Sequence, residues 1–72
     1  MENFSSRIKS LRKERGLKQK EMAKTLGLAD RSYQCYEYGE RFPDFKGLIA
    51  IADFFDVSLD YLVGRSDVRE RR

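Results

Sequence analysis

The sequence predicts an all-α fold, a compact bundle of five short helices. Apolar residues recur every three or four positions, which is the period of a helix face, and the chain shows no strand pattern. Glycine follows four of the five periodic segments, where a helix end favours a residue that tolerates positive φ. Seventy-two residues make one domain, which we place at residues 1–64 and which is large enough to fold without a disulfide or metal.

The first helix is predicted to begin after Asn3, whose side chain can accept hydrogen bonds from the first free amides. Phe4, Ile8 and Leu11 follow at a spacing of i, i+4 and i+7, so they form one buried face. Gly16 lies where a C-terminal cap belongs.

The second helix is predicted over residues 19–26, although Lys18 before it offers no side-chain acceptor for the first amides. Ala23 is small enough for a following helix to cross closely. Gly27 can adopt the positive φ that ends the helix without a Cβ penalty. The spacing of Ala23 and Gly27 is typical of a helix-turn-helix motif over about residues 19–38.

The third helix is predicted to begin at Asp30, or at the backbone of Ala29, and to end near Tyr38 with Gly39 as its stop. The third helix of the chain is the second helix of the helix-turn-helix motif. In this motif, the outward side of the second helix usually lies in the major groove of DNA. Four side chains are predicted to face outward: Asp30, Arg31, Gln34 and Cys35.

Two more helices are predicted in the second half of the chain. Pro43 favours an extended residue before it, and Asp44 can accept from the first amides of a fourth helix. Ser58 can cap a fifth helix, and Gly64 closes it. The buried face of the fourth helix is predicted to consist of Leu48, Ile51, Ala52 and Phe55.

Charge divides the chain into three parts. Residues 1–41 hold ten basic and six acidic side chains (+4), residues 42–64 one and four (−3), and residues 65–72 four and two (+2). The last part contains only Val68 as an apolar residue, so we predict a basic, flexible C-terminal tail. A basic first half beside an acidic second half suggests a side that faces nucleic acid and a side that does not.

Composition argues against several other functions. One cysteine excludes an internal disulfide, and the lack of histidine removes the commonest metal ligand and general base. We therefore expect no enzyme activity, metal or cofactor. No apolar run approaches the roughly 20 residues of a bilayer span, and the chain begins without the apolar stretch of a signal peptide. We expect a cytoplasmic protein with no membrane contact.

Three segments together carry a resemblance to a known family: RIKSLRKERGLKQKEMAKTLGL, YEYG and IADFFDVSLDYLVGRSD. They join a basic first helix, Gly-Leu-x-Gln, the Ala and Gly of the turn, and Val-Ser-Leu-Asp-Tyr-Leu. In this combination the chain resembles the Xre family, the lambdoid phage repressor and Cro class of helix-turn-helix proteins. The resemblance implies a five-helix fold and homodimeric binding to double-stranded operator DNA that controls transcription.

The resemblance also implies roles for individual residues near the motif. Gln19 matches a glutamine that meets a phosphate while bracing a side chain of the recognition helix. Arg31 matches a base-contacting position, and its guanidinium can donate two hydrogen bonds to guanine. Asp30 and Cys35 match other groove positions, with a helix cap as the alternative for Asp30. Gln34 is placed at a phosphate, at a base edge or in solvent.

Further positions match contacts with the DNA backbone. Lys20, Arg41 and Lys46 lie where phosphate contacts are expected, which position a protein on DNA without reading its sequence. Ala29 departs from a common serine or threonine of the family, and Ser32 can supply a hydroxyl instead. Away from the DNA, the resemblance implies a structural ion pair between Arg12 and Glu37.

The aromatic residues are predicted mainly as core, because their spacing follows the buried faces. The spacing does not assign Phe42 and Phe45 to a buried face. Phe54 and Phe55 are adjacent and cannot point in one direction on a helix, so one of them is expected at the surface or in a subunit contact.

Two function classes remain after this comparison. The first is a dimeric, sequence-specific transcriptional repressor. The alternative is a protein-interaction module of the same fold, antitoxin-like or adaptor-like, whose regulatory protein partner covers the acidic half. Asp30 and Cys35 favour the alternative slightly, because neither is a usual DNA contact. A redox role for Cys35 is a variant of the first class, although a thiol on a helix is more often inert.

Overall fold

The computed structural model describes residues 3–71, and its regular structure within that range is entirely helical. The predicted all-α class and the count of five helices are confirmed. None of these helices is long and apolar enough to cross a bilayer. In chain order the helices are α1 (Phe4–Glu14), α2 (Gln19–Leu26), α3 (Asp30–Tyr38), α4 (Phe45–Phe55) and α5 (Leu59–Leu62).

Side-chain caps begin three of the helices, as the sequence predicted. Asn3, Asp44 and Ser58 each accept a hydrogen bond from the amide three residues further on, at 3.0, 2.8 and 3.0 Å. Lys18 makes no such bond. Its own amide donates to the carboxylate of Glu21 at 2.8 Å, so an acidic residue inside α2 fixes the start of that helix.

Residues in the left-handed region end three helices. Gly27 (φ 71°) ends α2 and Gly39 (φ 78°) ends α3. Asp56 ends α4 with φ 55°, a conformation that a side chain with a Cβ rarely adopts. These turns are sharp, and the first of them sets the crossing of α2 and α3.

The hydrophobic core takes side chains from all five helices. Helix α3 packs against both α1 and α2, while α4 packs against α5. Phe55 is 5% exposed, whereas its neighbour Phe54 is only partly buried, so Phe54 is the outer member of that pair. The largest fully buried side chains are Tyr33, Ile8, Met22, Ile51 and Leu62.

Residues 65–71, which we call the C-terminal clasp, fold back onto the helices. The sequence predicted a flexible tail here, and the structure gives the segment contacts that were not foreseen. Asp67 binds the guanidinium of Arg7 at 2.8 Å, and Arg69 binds the carboxylate of Glu14 at 2.6 Å. These partners lie more than 50 positions away in the chain, so local sequence pattern could not show them.

Backbone contacts hold the same segment against α5. The amide of Ser58 donates to the carbonyl of Arg69 at 2.8 Å, and its hydroxyl donates to the carbonyl of Val68 at 3.0 Å. The side chain of Arg69 also donates to the Tyr61 hydroxyl at 3.0 Å. The packed structure therefore extends beyond the predicted boundary at residue 64.

Candidate nucleic-acid interface

The turn between α2 and α3 brings two helices into close contact. Ala23 on α2 is completely buried, and its carbonyl accepts the amide of Leu28 at 2.8 Å. Ala29 is the N-cap residue of α3 and makes no side-chain cap bond. Asp30 is thus the first residue of α3 rather than its cap, and both it and Arg31 are exposed.

Cys35 is the one predicted outward residue of α3 that the structure places inside. Its exposure is 8%, so the prediction that this side chain faces a groove is wrong. The chain turns back after Gly39, and the amides of Glu40 and Arg41 donate to the Cys35 carbonyl at 3.0 and 3.3 Å. This turn brings loop backbone beside Cys35, which the periodicity of α3 alone could not show.

The other predicted contact residues are accessible to different degrees. Lys20 is exposed in the first turn of α2, Arg41 in the loop after α3, and Lys46 in the first turn of α4. Ser32 and Gln34 on α3 are partly exposed. The exposed residues of α3 are therefore Asp30 and Arg31 in its first turn and Tyr38 at its end, and positive side chains lie on the elements next to it.

A hydrogen-bond network centred on Glu37 lies behind this surface; we call it the Glu37 network. Arg12 donates to both carboxylate oxygens, through Nε to Oε2 at 2.6 Å and through Nη2 to Oε1 at 3.2 Å. Gln19 donates through Nε2 to Oε1 at 3.1 Å, and Tyr33 donates through its hydroxyl to Oε2. The network joins three helices: α1 through Arg12, α2 through its first residue Gln19, and α3 through Tyr33 and Glu37. It therefore fixes the position of α3 relative to α1 and α2.

Burial makes the network electrostatically strong. The side chain of Glu37 is 1% exposed and that of Arg12 is 11% exposed. Burial by itself raises the pKa of Glu37, but the hydrogen bonds from Arg12, Tyr33 and Gln19 outweigh it, and the net pKa is lowered. Burial, together with the neighbouring Glu37, raises the pKa of Tyr33. Glu37 therefore stays ionised and Tyr33 stays a donor.

Sequence reasoning missed two parts of the network. Tyr33 was predicted only as a core residue, although its i to i+4 spacing from Glu37 was a signal that their side chains meet. Arg12 also donates through Nη1 to the carbonyl of Leu17 at 2.7 Å. This bond ties the loop before α2 to α1 and could not be read from the sequence.

Three aromatic side chains between the last residue of α3 and the first residue of α4 are strongly exposed. Tyr38, Phe42 and Phe45 are 63%, 67% and 70% exposed. One side of the Phe42 ring packs against Phe4, with 6.0 Å between the ring centroids. These exposed fractions place Tyr38 and Phe45 outside the core, and Phe42 contacts the core with one side of its ring only.

Comparison with known sequences gives consistent matches. The model of a helix-turn-helix domain family matches residues 5–68. The chain is 48% identical over 60 residues to the HTH-type transcriptional regulator YqaE of Bacillus subtilis, covering 83% of this chain and 52% of that protein. It is 38% identical over 64 residues to the cryptic phage CTXphi transcriptional repressor RstR of Vibrio cholerae, covering 89% of this chain and 58% of that protein.

Solved structures agree with these matches. A transcriptional regulator from Listeria innocua aligns with a TM-score of 0.81 at 39% identity, covering 85% of this chain and 57% of that one. The P22 c2 repressor, solved in complex with a synthetic operator, aligns with a TM-score of 0.82 over 92% of this chain and 100% of that one. Its 24% identity supports the shared fold alone.

The chain spans little more than half the length of the curated proteins that it matches. The family match, in contrast, takes in residues 5–68 of 72 and includes all five helices except the first residue of α1. The chain therefore belongs to the helix-turn-helix domain family.

Proposed function

We propose that this domain binds double-stranded operator DNA through α3 and acts as a homodimeric transcriptional repressor. The observation that carries the proposal is the exposed first turn of α3, which the Glu37 network holds against α1 and α2. A recognition helix must keep a fixed position to distinguish bases. The hydrogen bonds of the Glu37 network hold α3 in one position relative to α1 and α2. The names of the relatives, regulators and a phage repressor, support the same function.

Arg31 is the residue proposed to read a base. It is exposed and second in α3, and the N-terminal residues of a recognition helix are those that approach base edges. A guanidinium can donate two hydrogen bonds to O6 and N7 of guanine, which distinguishes that base from the other three. Arg31 therefore carries the main specificity in this proposal.

Gln19, Lys20 and Arg41 are proposed to hold the DNA backbone. The amide nitrogen of Gln19 has two hydrogens, and one of them is used by Glu37. The second hydrogen can be donated to a phosphate oxygen, so a single side chain braces α3 and contacts DNA. Lys20 and Arg41 are exposed and can place positive charge on phosphates without reading sequence.

The remaining polar residues of α3 have secondary roles in the proposal. Gln34 and Ser32 are partly exposed and can donate to a phosphate or a base edge. Asp30 can only accept, so the base contact open to it is with an amino group such as cytosine N4. Cys35 is buried and has no part in the interface.

A protein-interaction module is the second candidate function. The exposed carboxylate of Asp30 at the start of α3 favours it, because a negative charge there repels phosphate. In this alternative a regulatory protein partner covers the acidic second half of the chain. Duplex binding separates the two candidates directly.

The test is a selection of bound duplexes from a random library, made with the wild-type protein, Arg31→Ala and Arg41→Ala. Arg31→Ala is expected to cost about 1–3 kcal/mol per half-site and to flatten the preference at one position. Arg41→Ala is the matched control with the same loss of charge. It should weaken all duplexes alike and lower the log–log salt slope by about one unit for each lost phosphate contact.

Two results would count against the proposal. If the wild-type protein enriches no sequence and binds every duplex more weakly than millimolar at low salt, the interaction-module alternative replaces it. If Arg31→Ala keeps the wild-type preference at every position, Arg31 is a phosphate contact or a solvated side chain, and specificity comes from elsewhere.

A further inference from the structure

A groove of about 560 Å³ lies between α4, α5 and the C-terminal clasp. Within the described residues, none of the side chains proposed above to contact DNA lines this groove. A molecule that occupies it therefore does not compete with DNA for the same residues, and the groove can have a function of its own.

The floor of the groove is apolar. Leu59 is 37% exposed and Val68 is 43% exposed, and they are two of the five large apolar side chains that are exposed in residues 3–71. Ile49 is partly exposed beside them, while Ala52 and Val57 belong to the core and close the groove from below. Apolar side chains that share a recess mark a binding surface more often than scattered ones do.

The rim of the groove is acidic. Asp53, Asp60 and Glu70 line it, against the single guanidinium of Arg71 in the described part of the chain. Asp60 is 64% exposed and lies 4.0 Å from the exposed Arg65, which is a weak pair. The chain as a whole carries a net charge of +3. A cationic molecule is thus attracted to this rim and repelled by most of the remaining surface.

Arg71 of the clasp shows which chemical group the rim accepts. Its guanidinium pairs with Asp53 and lies 3.5 Å from Asp56. The side chains of Arg71 and Asp53 are 48% and 54% exposed, so water screens this pair and a competing cation can displace it. An arginine or lysine of another chain can take the same position.

We propose that the groove binds a short peptide segment of a partner protein, in which apolar side chains alternate with lysine or arginine. An apolar side chain enters between Leu59 and Val68, and basic side chains pair with Asp60 and Glu70 and compete with Arg71. The clasp forms one wall of the groove and is held largely by exposed ion pairs, so this wall can shift to admit the peptide. The inference goes beyond DNA binding and does not depend on it.

The first test is a titration of the whole isotope-labelled chain with a short peptide of alternating leucine and lysine, followed by NMR. The amide signals of Leu59 and Val68 are expected to shift and saturate, while that of Arg31 stays in place. A peptide with serine in place of leucine should bind about tenfold more weakly or worse, because it loses the apolar contact. A peptide with glutamate in place of lysine should not bind. The absence of shifts, the largest shifts on α3, or equal affinity for the three peptides would overturn the proposal.

The second test uses the competition with Arg71, which predicts a gain of affinity. Arg71→Ala should tighten binding of the leucine–lysine peptide about two- to fivefold, because it releases Asp53. Arg31→Ala removes the same charge outside the groove and should leave the affinity unchanged. Equal gains in both variants would mean that only the net charge matters, and would overturn the proposal.

The third test removes a carboxylate without touching the clasp pairs. Glu70→Gln should weaken peptide binding about two- to fivefold, as expected for an exposed ion pair. Glu40→Gln is the matched control, since Glu40 is also exposed but does not line the groove. Equal losses in the two variants would contradict binding in the groove.

Two further measurements separate this inference from self-association and from DNA binding. If the signals of Leu59 and Val68 shift with protein concentration in the absence of peptide, a second copy occupies the groove and the proposal is overturned. A chain that binds the peptide in the groove but binds no duplex would reject the proposed function and keep this inference. A chain that binds a duplex through α3 but no peptide would do the reverse.

Discussion

Arginines hold two regions of this molecule in different ways. In the Glu37 network, three donor residues converge on one carboxylate that is 1% exposed. In the C-terminal clasp, separate ion pairs form with carboxylates that face water: the Asp67 side chain is 99% exposed and that of Glu14 is 48% exposed. Both regions contain ion pairs between arginine and a carboxylate, but the carboxylate is buried in the first region and exposed to water in the second.

The difference decides what each region can stabilise. Water and salt screen an exposed ion pair, and water replaces a lost partner. A buried carboxylate has no such replacement, so removing it leaves its donors without partners in a dry site. The Glu37 network should therefore fix the position of α3 rigidly, whereas most clasp contacts should hold their segment weakly.

Arg7 is the exception within the clasp contacts. It is 4% exposed, and its guanidinium lies 3.9 Å from the centre of the Tyr61 ring. It donates to the carbonyl of Tyr61 at 3.3 Å and to that of Ser66 at 3.1 Å. One buried anchor thus accompanies the exposed pairs, at the point where the clasp leaves α5.

Removal of the Glu37 carboxylate is the sharpest test of the difference between the Glu37 network and the clasp. Glu37→Ala should lower the free energy of unfolding by about 3–5 kcal/mol, because it leaves Arg12, Tyr33 and Gln19 without their shared acceptor. Urea titration followed by circular dichroism measures the change. Glu14→Ala, which removes an exposed partner of the clasp, is the control and should have a much smaller effect. Similar losses for both variants would erase the distinction between the regions.

Acid should reveal the same network with a smaller effect, because a protonated Glu37 still fills its site. The folded pKa of Glu37 is lowered below 4.5, so its contribution is present above that value and is lost as the pH falls through the folded pKa. The free energy of unfolding should fall below about pH 5, and less steeply in Glu37→Gln. Denaturant titrations at a series of pH values measure both slopes. Parallel curves for the two proteins would show that Glu37 is not the titrating group.

The clasp should give the smallest effect and the strongest dependence on salt. Arg69→Ala removes the pair with Glu14 and the bond to the Tyr61 hydroxyl, and its cost should be a small fraction of that of Glu37→Ala. That cost should shrink further at 1 M salt, where the screening length is about 3 Å. Arg65→Ala is the control, since Arg65 is 78% exposed and only 4.0 Å from Asp60. A large, salt-independent cost of Arg69→Ala would place the clasp among the rigid parts of the domain.

Sequence pattern predicted the parts of the fold that depend on neighbours in the chain. The caps Asn3, Asp44 and Ser58 and the turn at Gly27 need only local spacing, and the structure has all four. The clasp depends on contacts between residues far apart, such as Asp67 with Arg7. A segment with one apolar residue gives no periodic signal for such contacts.

In the candidate site, too, some contacts could be predicted from the sequence and others could not. The resemblance brought Arg12 and Glu37 together, and the structure places them in contact. It also implied that Gln19 braces the recognition helix, and Gln19 donates to Glu37 on α3. The resemblance placed Cys35 at the groove, whereas the structure buries its side chain and binds its carbonyl to amides of the loop after α3. The contacts with DNA remain predictions.

The carboxylate of Glu37 also restricts how this chain can change over generations. Its two oxygens serve Arg12, Gln19 and Tyr33, so a substitution at any one of the four positions alters the partners of the others. A shorter Asp at position 37 would draw the acceptor away from donors on three different helices. Drift at these sites is therefore expected to be coupled, with the four residues inherited as a set or exchanged together, while the exposed pairs of the clasp are free to vary one at a time.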